Sequence, residues 1–385
     1  MKRSARNFRI ILIGYIIFSA AFLFYSYTQV DPGLSITRFQ LPARIIRGFQ
    51  ELGFRRPLSL TLFTGIVSGF TVLYFLTLRA YKSITKSGFY LILASVTGIL
   101  VLGYPAYSHD IFNYLFSARI LVVYGKNPFT TVPLAFASFD PWLSFMRWTH
   151  LPSAYTPLWI AFTVPLYLIG LGRFVTVLFT FKAFLAACFV ATVVVIGEIM
   201  KNIDPDRRLR AMIFFGLNPL VLMESVISPH NDIVMALLAV GSYLIYLKRR
   251  RLLSFLALAV SAAAKTMTVF LYPVALTGWN PMRALIAMTL ATLAGFAVKE
   301  LLPWYLLWVL PFAALNVRFT RLTLFFALVS IGFAFSYAPH MYFGDYRPEE
   351  LTAKTLIVLA GVTAGVLALI PLPKGGPGRT GKPAL

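Results

Sequence analysis

A series of long apolar segments separated by short basic clusters is the feature that most constrains the fold. The first segment, residues 8–27, has about the length that crosses a bilayer and follows the basic residues Lys2, Arg3, Arg6 and Arg9. Only 12% of the chain is charged, whereas soluble proteins carry about 25%. The sequence therefore predicts an all-α polytopic membrane protein.

The other predicted spans repeat this pattern. They cover residues 58–78, 89–104, 174–200, 212–227, 233–247, 284–298, 303–315, 322–338 and 351–370. If residues 155–171 and 174–200 both crossed fully, the basic cluster at 201–210 would lie outside. One of the two is therefore predicted to be a re-entrant or short helix, with residues 155–171 favoured. Residues 252–276 are predicted to form two half-length helices that meet near Lys265. The expected bundle has about 11–13 transmembrane or half-spanning helices with a helical first outer loop.

The basic clusters predict the orientation of the chain. The positive-inside rule places them, and with them the N- and C-termini, in the cytoplasm. The net charge of +22 is then explained by topology and lipid contact, not by a nucleic-acid partner. Residues 38–56 carry five arginines on the predicted outer side and are read as an amphipathic surface helix. Asp110 and Asp232 also fall on the outer side.

No polar interval is long enough for a separate soluble domain, so residues 1–385 are predicted to form a single integral membrane domain. Within it, residues 1–88 hold the N-terminal spans and the surface helix, and residues 89–316 form the candidate catalytic core. Residues 317–370 hold the C-terminal spans and an outer loop, and residues 371–385 form a basic cytoplasmic tail. Cys188, the single cysteine, has no cysteine partner for a disulfide.

Several polar groups converge on the predicted outer rim. They lie in the stretches SHD (108–110), YGKNPF (124–129), SPHNDIVMALL (228–238), KELLPWYLLW (299–308) and PHMYFGDYRPEE (339–350). Lys265, inside an apolar stretch, is a functional candidate because a lysine is expensive to bury in a membrane. Cations, carboxylates and aromatics gathered at one membrane face suit a substrate that is part sugar and part lipid.

Each group also has a structural explanation, which the sequence leaves open. Ser108 could cap a helix over residues 111–124, and residues 230–232 could form a polar turn between spans. Lys265 could extend its side chain to the interface, and Trp304 could anchor a helix there. His340, Asp345 and Arg347 could belong to an ordinary solvated loop.

The order of these motifs is similar to that of a known family. Asp110, Tyr114 and Arg119 precede YGKNPF, and YTPLW (155–159), NPLVLMES (218–225), HND (230–232), a lysine within a hairpin and PWYLLW (303–308) follow. From Gly103 to Trp308 the chain resembles the bacterial polyprenol-phosphate-mannose-dependent mannosyltransferases of the GT-C superfamily.

The resemblance implies an inverting transfer of a hexose, with mannose favoured, from a polyprenyl-phosphate donor to a glycan or glycolipid acceptor. It implies that the reaction takes place on the extracytoplasmic side, with Asp110 as general base and Asp232 in the same cavity. No metal-ligand set is predicted, but the sequence lacks a second carboxylate beside Asp110, so metal dependence stays open and a divalent cation remains a candidate cofactor.

Roles for the other polar residues follow from the expected chemistry. A departing lipid phosphate gathers negative charge, which positioned cations stabilise, while aromatic faces suit sugar stacking and a lipid wall. Asp232 would orient the acceptor or serve as an alternative base. The candidate donor-phosphate ligands are Lys265, Arg119, Arg347 and His340. The candidate substrate-binding residues are His109, Tyr114, Asn127, Tyr155, His230, Asn231, Trp304 and Tyr305.

Two other functions fit a chain of this kind. A secondary transporter or lipid flippase also has broken helices and charges within the membrane, although its polar residues should span the full bilayer depth. A non-catalytic subunit of a membrane glycosylation complex would not require Asp110.

Overall fold

The computed structural model describes residues 2–31, 34 and 39–371. Within these ranges the chain is all-helical and contains no strand. The prediction of a polytopic all-α membrane protein is therefore confirmed. The predictions for the basic tail after residue 371 and for Arg38 lie outside the described residues.

The described chain is built from α-helices joined by short turns and 3₁₀ segments. In chain order they are α1 (Lys2–Tyr27), α2 (Gln40–Phe54), α3 (Arg56–Arg79), α4 (Lys86–Leu100), α5 (Asp110–Val122), α6 (Pro157–Ile169), α7 (Phe174–Ile203), α8 (Arg208–Gly216), α9 (Pro219–Leu222), α10 (Asp232–Leu247), α11 (Arg251–Ala264), α12 (Tyr272–Leu276), α13 (Pro281–Val298), α14 (Leu306–Ala314), α15 (Thr320–Phe335), α16 (Ala338–Phe343) and α17 (Pro348–Leu369).

Six helical segments of the described chain are long and apolar enough to cross a membrane. They are α1 from Arg6 onward, α3, α7, α13, α15 continued through α16, and α17. A further pair, α8 and α9, is bent by 56° and corresponds to the predicted span at 212–227. The shorter apolar helices are α4, α6, α10, α11 and the segments Thr266–Leu276 and Pro303–Ala314.

Both predicted departures from simple spans are present. Helix α6 has only 13 residues, fewer than the roughly 20 that a perpendicular crossing needs. Helix α11 ends at Ala264, and Lys265 adopts an extended conformation before a 3₁₀ segment, Thr266–Leu271. The sequence therefore located the interruption at Lys265 correctly.

The predicted amphipathic helix is also present, as α2. Its buried residues Ile46, Gln50 and Gly53 share one face, while Leu41 and Ile45 are exposed. A Cβ atom at Gly53 would lie 2.0 Å from the carbonyl oxygen of Thr28. This close approach seats α2 against the C-terminal end of α1.

Helix α5 supplies the predicted helical first outer loop. It begins at Asp110, whose amide donates a hydrogen bond to the Ser108 hydroxyl at 3.2 Å. The carboxylate of Asp110 thus lies in the first turn, where the positive end of the helix dipole stabilises negative charge. The capping explanation for Ser108 is consistent with a functional Asp110, because the turn that starts the helix also positions the carboxylate.

One continuous cluster of buried apolar side chains extends through the described helices, from Ile11 in α1 to Val358 in α17. Helix α7 is central to it, since it packs against α6, α8 and α10. This continuity agrees with a single membrane domain, although the internal boundaries predicted from the sequence remain predictions.

Helices α15 and α17 approach each other closely where Gly332 meets Gly361. A Cβ atom at Gly332 would lie 2.8 Å from the Cα atom of Gly361, a distance that requires backbone movement. We expect Gly332→Ala to lower the free energy of unfolding by about 1–3 kcal/mol, the usual effect of overpacking. The change is measured by heating the detergent-solubilised protein and recording the fraction that remains monodisperse at each temperature.

Gly98→Ala in α4 is the matched control, because a Cβ atom there meets nothing within 4 Å. It should leave the melting temperature unchanged or raise it, since alanine is the better helix former. Equal melting temperatures for Gly332→Ala and the parent would contradict the close packing of α15 on α17.

Candidate active site

A cavity of about 560 Å³ opens between α5, the loop before α6, the break at Lys265 and the segment leading into α14. Helix α5 contributes Asp110, Asn113, Ser117 and Ile120, which share one helical face because residues three or four apart lie above one another. The other lining residues are Pro133, Met146, Trp148, Leu151, Pro152, Ser153, Ala154, Tyr155, Thr156, Asn231, Ala264, Lys265, Thr266, Met267, Lys299, Leu302, Trp304, Tyr305 and Trp308.

Asp110 begins a chain of polar contacts that leads away from the cavity. Its Oδ2 atom lies 3.7 Å from Nε2 of His230, and Nδ1 of His230 lies 3.1 Å from Oε2 of Glu224. The Tyr337 hydroxyl donates a 2.8 Å hydrogen bond to Oε1 of Glu224. The side chains of His230 and Glu224 are fully buried, whereas that of Asp110 keeps 16% exposure.

Local backbone irregularity makes this contact possible. Helix α9 passes into a π-helical turn, Met223–Ile227, and such turns occur often at functional sites. The His230 amide donates a 3.0 Å hydrogen bond to the Glu224 carbonyl, and Ser228 accepts one from the Tyr107 amide at 2.9 Å. The segment before α10 is thereby attached to the segment before α5.

Asp232, the first residue of α10, holds the lysine at the helix break. Its Oδ1 atom accepts hydrogen bonds from Nζ of Lys265 at 2.6 Å and from Nε1 of Trp308. Asp232 is fully buried, while the Lys265 side chain keeps 25% exposure and lines the cavity. The structure thus turns Lys265 toward a buried carboxylate, in contrast to the interfacial explanation.

Aromatic rings surround these charges. The Trp304 ring stacks on His230 at 4.3 Å between centroids, and Tyr305 stacks on Trp308 at 4.1 Å. Tyr114 meets Tyr155 edge-on at 4.7 Å. Since Trp304 and Tyr305 contact residues of the site, they do more than anchor a helix at an interface.

The Asp110 carboxyl sits among several polar neighbours. Tyr155 and Asn231 line the same cavity, and the Tyr114 hydroxyl lies 3.4 Å from Oδ1 of Asn231. Burial raises the pKa of Asp110 above its ordinary value, while the charges of His230 and Lys265 act in the opposite direction. A carboxylate in this environment is a better proton acceptor than a solvated one.

The structure does not bring all predicted site residues to the cavity. Arg119 is held by Asp140, with Nε 2.6 Å from Oδ2, and its guanidinium lies over the Trp142 ring. Arg347 pairs with Asp345 at 2.6 Å on an exposed loop. Both arginines were predicted from the sequence to bind the donor phosphate. Each instead has a carboxylate partner outside the lining of the cavity.

Three other predicted residues lie apart for similar reasons. His340 Nδ1 lies 3.3 Å from Glu350, and His109 Nε2 lies 3.9 Å from Asp31. The Asn127 amide oxygen accepts a hydrogen bond from the Phe129 backbone. The assignment of His340 to the donor phosphate, and of His109 and Asn127 to substrate binding, remains a prediction that these contacts do not support.

Four residues at or behind the site were not among the individual site residues predicted from the sequence. They are Asn113 and Lys299 in the cavity lining, Glu224 behind His230, and Lys182. The signal for Glu224 and Lys182 was present, because an ionisable residue within an apolar segment is a functional candidate. Asn113 follows Asp110 by one helical turn, a spacing that also indicates a shared face.

Lys182 supports the site from α7. Its side chain is fully buried, and its ammonium donates 2.6 Å hydrogen bonds to the carbonyl oxygens of Gly103 and Ile227. Gly103 begins the segment that leads to Asp110, and Ile227 begins the segment that leads to His230. One buried cation therefore holds together the two backbone segments that carry the polar chain.

Within the ranges described, no group of three His, Cys, Asp or Glu side chains is arranged as a metal site. The absence of fixed metal ligands remains a prediction. The need for a divalent cation stays open, as it did in the sequence. Among the lining residues, positive charge is supplied by Lys265 and Lys299.

The chain is a polytopic all-helical membrane protein, the class to which the GT-C type membrane glycosyltransferases belong. Residues 49–283, more than half of the chain, match the family model for the MptA/B family, described as alpha-(1->6)-mannopyranosyltransferase, N-terminal domain. The chain belongs to this mannosyltransferase family, which confirms the resemblance found in its motifs. Neither a curated protein nor a solved structure matches the chain.

The matched region includes the main polar contacts of the cavity. Asp110, Glu224, His230, Asp232 and Lys265 all lie within residues 49–283. The match begins earlier in the chain than the motif resemblance did and ends before the PWYLLW stretch. The aromatic wall of the cavity at residues 304–308 thus comes from outside the matched region.

Proposed function

We propose that this mannosyltransferase moves a mannosyl residue from a polyprenyl-phosphate donor to a glycan or glycolipid acceptor, with inversion, on the extracytoplasmic face. The observation that carries the proposal is a single cavity that contains both the carboxylate of Asp110 and the ammonium of Lys265. Glycosyl transfer to a hydroxyl needs a proton acceptor at one end of the reaction and stabilisation of the leaving group at the other.

Asp110 is the proposed general base. It is the carboxylate in the cavity lining, and an acceptor hydroxyl within hydrogen-bonding reach would give up its proton to it during attack on the anomeric carbon. Asp232 fits this role less well, because it is fully buried and Oδ1 is occupied by Lys265 and Trp308. We therefore assign to Asp232 the positioning of Lys265.

Lys265 and Lys299 are the proposed ligands of the departing lipid phosphate. Both line the cavity, and the hydrogen bond from Lys265 to Asp232 fixes the ammonium before the donor arrives. A positioned cation in a site shielded from water stabilises developing phosphate charge better than a solvated one. Because Lys299 was not singled out as a site residue in the sequence, its role rests on its place in the cavity alone.

The remaining walls suit the other parts of the substrates. Trp304, Tyr305 and Tyr155 offer aromatic faces for a sugar, while Met146 and Leu151 belong to an apolar side that a prenyl chain could follow. The family description specifies an α-(1→6) product. Inversion to an α product requires a donor with its mannose in β linkage, so the anomeric form of the donor is part of this proposal.

The length of α7 supports placing the cavity and the basic clusters on opposite faces. Phe174, at the start of α7, stacks on Phe112 of α5, so this end lies near the cavity. The helix runs for 30 residues, or about 45 Å at 1.5 Å per residue, to the cluster around Lys201 and Arg208. If that cluster is cytoplasmic by the positive-inside rule, the cavity is extracytoplasmic.

Asp110→Asn should retain the fold and lose transfer by a factor of about 10² to 10⁴, the usual contribution of a general base. The measurement uses purified protein in proteoliposomes, β-linked polyprenyl-phosphate [¹⁴C]mannose and an α-(1→6)-mannosyl glycolipid acceptor. Asp206→Asn, outside the cavity, is the matched control and should keep full activity. Unreduced transfer by Asp110→Asn would remove Asp110 as the base and reopen the transporter and non-catalytic alternatives.

Lys265→Met should raise the KM for the donor by about 10- to 100-fold, because it removes a charged contact to the phosphate. Lys265→Arg, which restores the positive charge, should recover part of the affinity. Lys248→Met, a lysine at the end of α10 outside the cavity lining, serves as the matched control. An unchanged donor KM in Lys265→Met would leave this lysine a structural role only.

The proposed orientation is tested by cysteine labelling in a Cys188→Ser background. A membrane-impermeant maleimide should label Tyr346→Cys in intact cells but Arg250→Cys only after permeabilisation, because the two positions lie on opposite faces in our proposal. Both parent residues belong to loops at the ends of helices. Labelling of Arg250→Cys in intact cells would reverse the topology and move the cavity to the cytoplasmic side.

A further inference from the structure

The pair formed by Glu224 and His230 has no role in the proposed reaction so far, and the position of His230 behind the cavity does not support its predicted role in substrate binding. Neither side chain lines the cavity, and both are fully buried. Full burial of an ionised carboxylate is costly unless a cation and hydrogen-bond donors compensate its charge. A function for this pair would explain why the chain keeps two ionisable groups at this depth.

The surroundings of His230 favour its imidazolium form. Nδ1 lies 3.1 Å from Glu224, and Nε2 lies 3.7 Å from Asp110, so both ring nitrogens face a carboxylate oxygen. Only the imidazolium form presents a hydrogen on both nitrogens. The stacked Trp304 ring at 4.3 Å also favours a positive imidazolium through its negative π face.

The side chains of Tyr337 and His230 flank the Glu224 carboxyl group. Oε1 accepts a hydrogen bond from the Tyr337 hydroxyl at 2.8 Å, while Oε2 faces His230. The π-helical turn and the bond from the His230 amide to the Glu224 carbonyl fix the two residues relative to each other. Glu224 therefore stabilises the imidazolium without reaching the cavity itself.

We propose that Glu224 and His230 are a positioning pair that keeps Asp110 ionised and oriented for proton abstraction. Glu224 holds the positive charge on His230, and that charge, 3.7 Å from Asp110, stabilises the carboxylate form of the base. This inference rests on the proposed role of Asp110. It adds that a buried ion pair behind the cavity sets the pH range in which that base works.

Other ionisable groups near Asp110 do not replace the effect of the His230 charge on its carboxyl group. Lys265 is paired with Asp232, so that pair is close to neutral as a whole. Tyr155 and Tyr114 are uncharged below their high pKa values and can offer hydrogen bonds only. The groups whose charges act on Asp110 are His230, Lys265 and Asp232, with Tyr155 as a polar neighbour.

The sign of the pH effect follows from this arrangement. Asp110 acts as a base only when it is ionised, so kcat/KM should fall at low pH as the carboxylate gains a proton. Loss of an opposite charge within 4–6 Å raises a carboxyl pKa by about 1–3 units. Glu224→Gln, which removes the partner of the imidazolium, should therefore move the acid limb of kcat/KM upward by about 1–3 pH units.

The experiment measures the pH dependence of mannosyl transfer by purified full-length protein in proteoliposomes, with the same donor and acceptor as above. His230→Gln, which keeps hydrogen-bonding capacity without the charge, should show the same upward shift as Glu224→Gln. The double variant should show the same shift as Glu224→Gln, because each single change already removes the imidazolium charge. Glu198→Gln, a glutamate of α7 paired with Arg208, is the matched control and should keep the parent profile.

The outcomes separate this inference from the proposed function. An acid limb that stays at its parent position in a folded Glu224→Gln or His230→Gln variant overturns the positioning role, even if kcat falls. Retained transfer by Asp110→Asn overturns the role of Asp110 itself. Melting temperatures in detergent establish which variants are folded. If Glu224→Gln does not fold, the position of the acid limb in His230→Gln gives the same test.

Discussion

The cost of placing charge in a low-dielectric interior is the constraint on which the rest of this structure depends. The described helices bury Lys182, Glu224, His230 and Asp232 completely, and each is matched by an opposite charge or by carbonyl oxygens. Lys182 contacts two carbonyls, Asp232 contacts Lys265, and Glu224 contacts His230. A membrane protein that left such groups unmatched would lose several kcal/mol for each of them.

Because each buried charge requires a partner, the charges also determine which segments meet. The turn before α5, the π-helical turn after α9, and the break at Lys265 are far apart in sequence, yet their polar groups satisfy one another. Irregular backbone at membrane depth is tolerated where it is buried in protein or lines a cavity. In this fold the break at Lys265 lines the cavity, and the two turns lead to Asp110 and Asn231, which line it as well.

The same principle explains why several predicted cations are absent from the cavity. Arg119 and Arg347 have carboxylate partners close to them in the chain or in space, Asp140 and Asp345. A guanidinium held by two or more contacts is poorly placed to bind a further anion. Lys265 differs because it lines the cavity, where its partly exposed side chain can meet a substrate.

The sequence determined the membrane class, the helical spans, the short helix before α7 and the break at Lys265. These features follow from hydrophobic length and from charges within apolar runs, which are local properties of the chain. The family resemblance, carried by the order of short motifs, indicated Asp110 and the mannosyltransferase family. Glu224 and Lys182 were visible as isolated charges and Lys299 as part of a polar stretch with Glu300, but no local pattern indicated what they contact.

Only the tertiary structure decided which polar residues share a cavity. Whether a charge faces a substrate or a structural partner depends on residues that lie a hundred or more positions away, as with Tyr337 and Glu224. The separation of Arg119 from the cavity and the placement of His230 between two carboxylates are outcomes of packing. Sequence periodicity sets the face of a helix on which a side chain lies, and packing sets what that face meets.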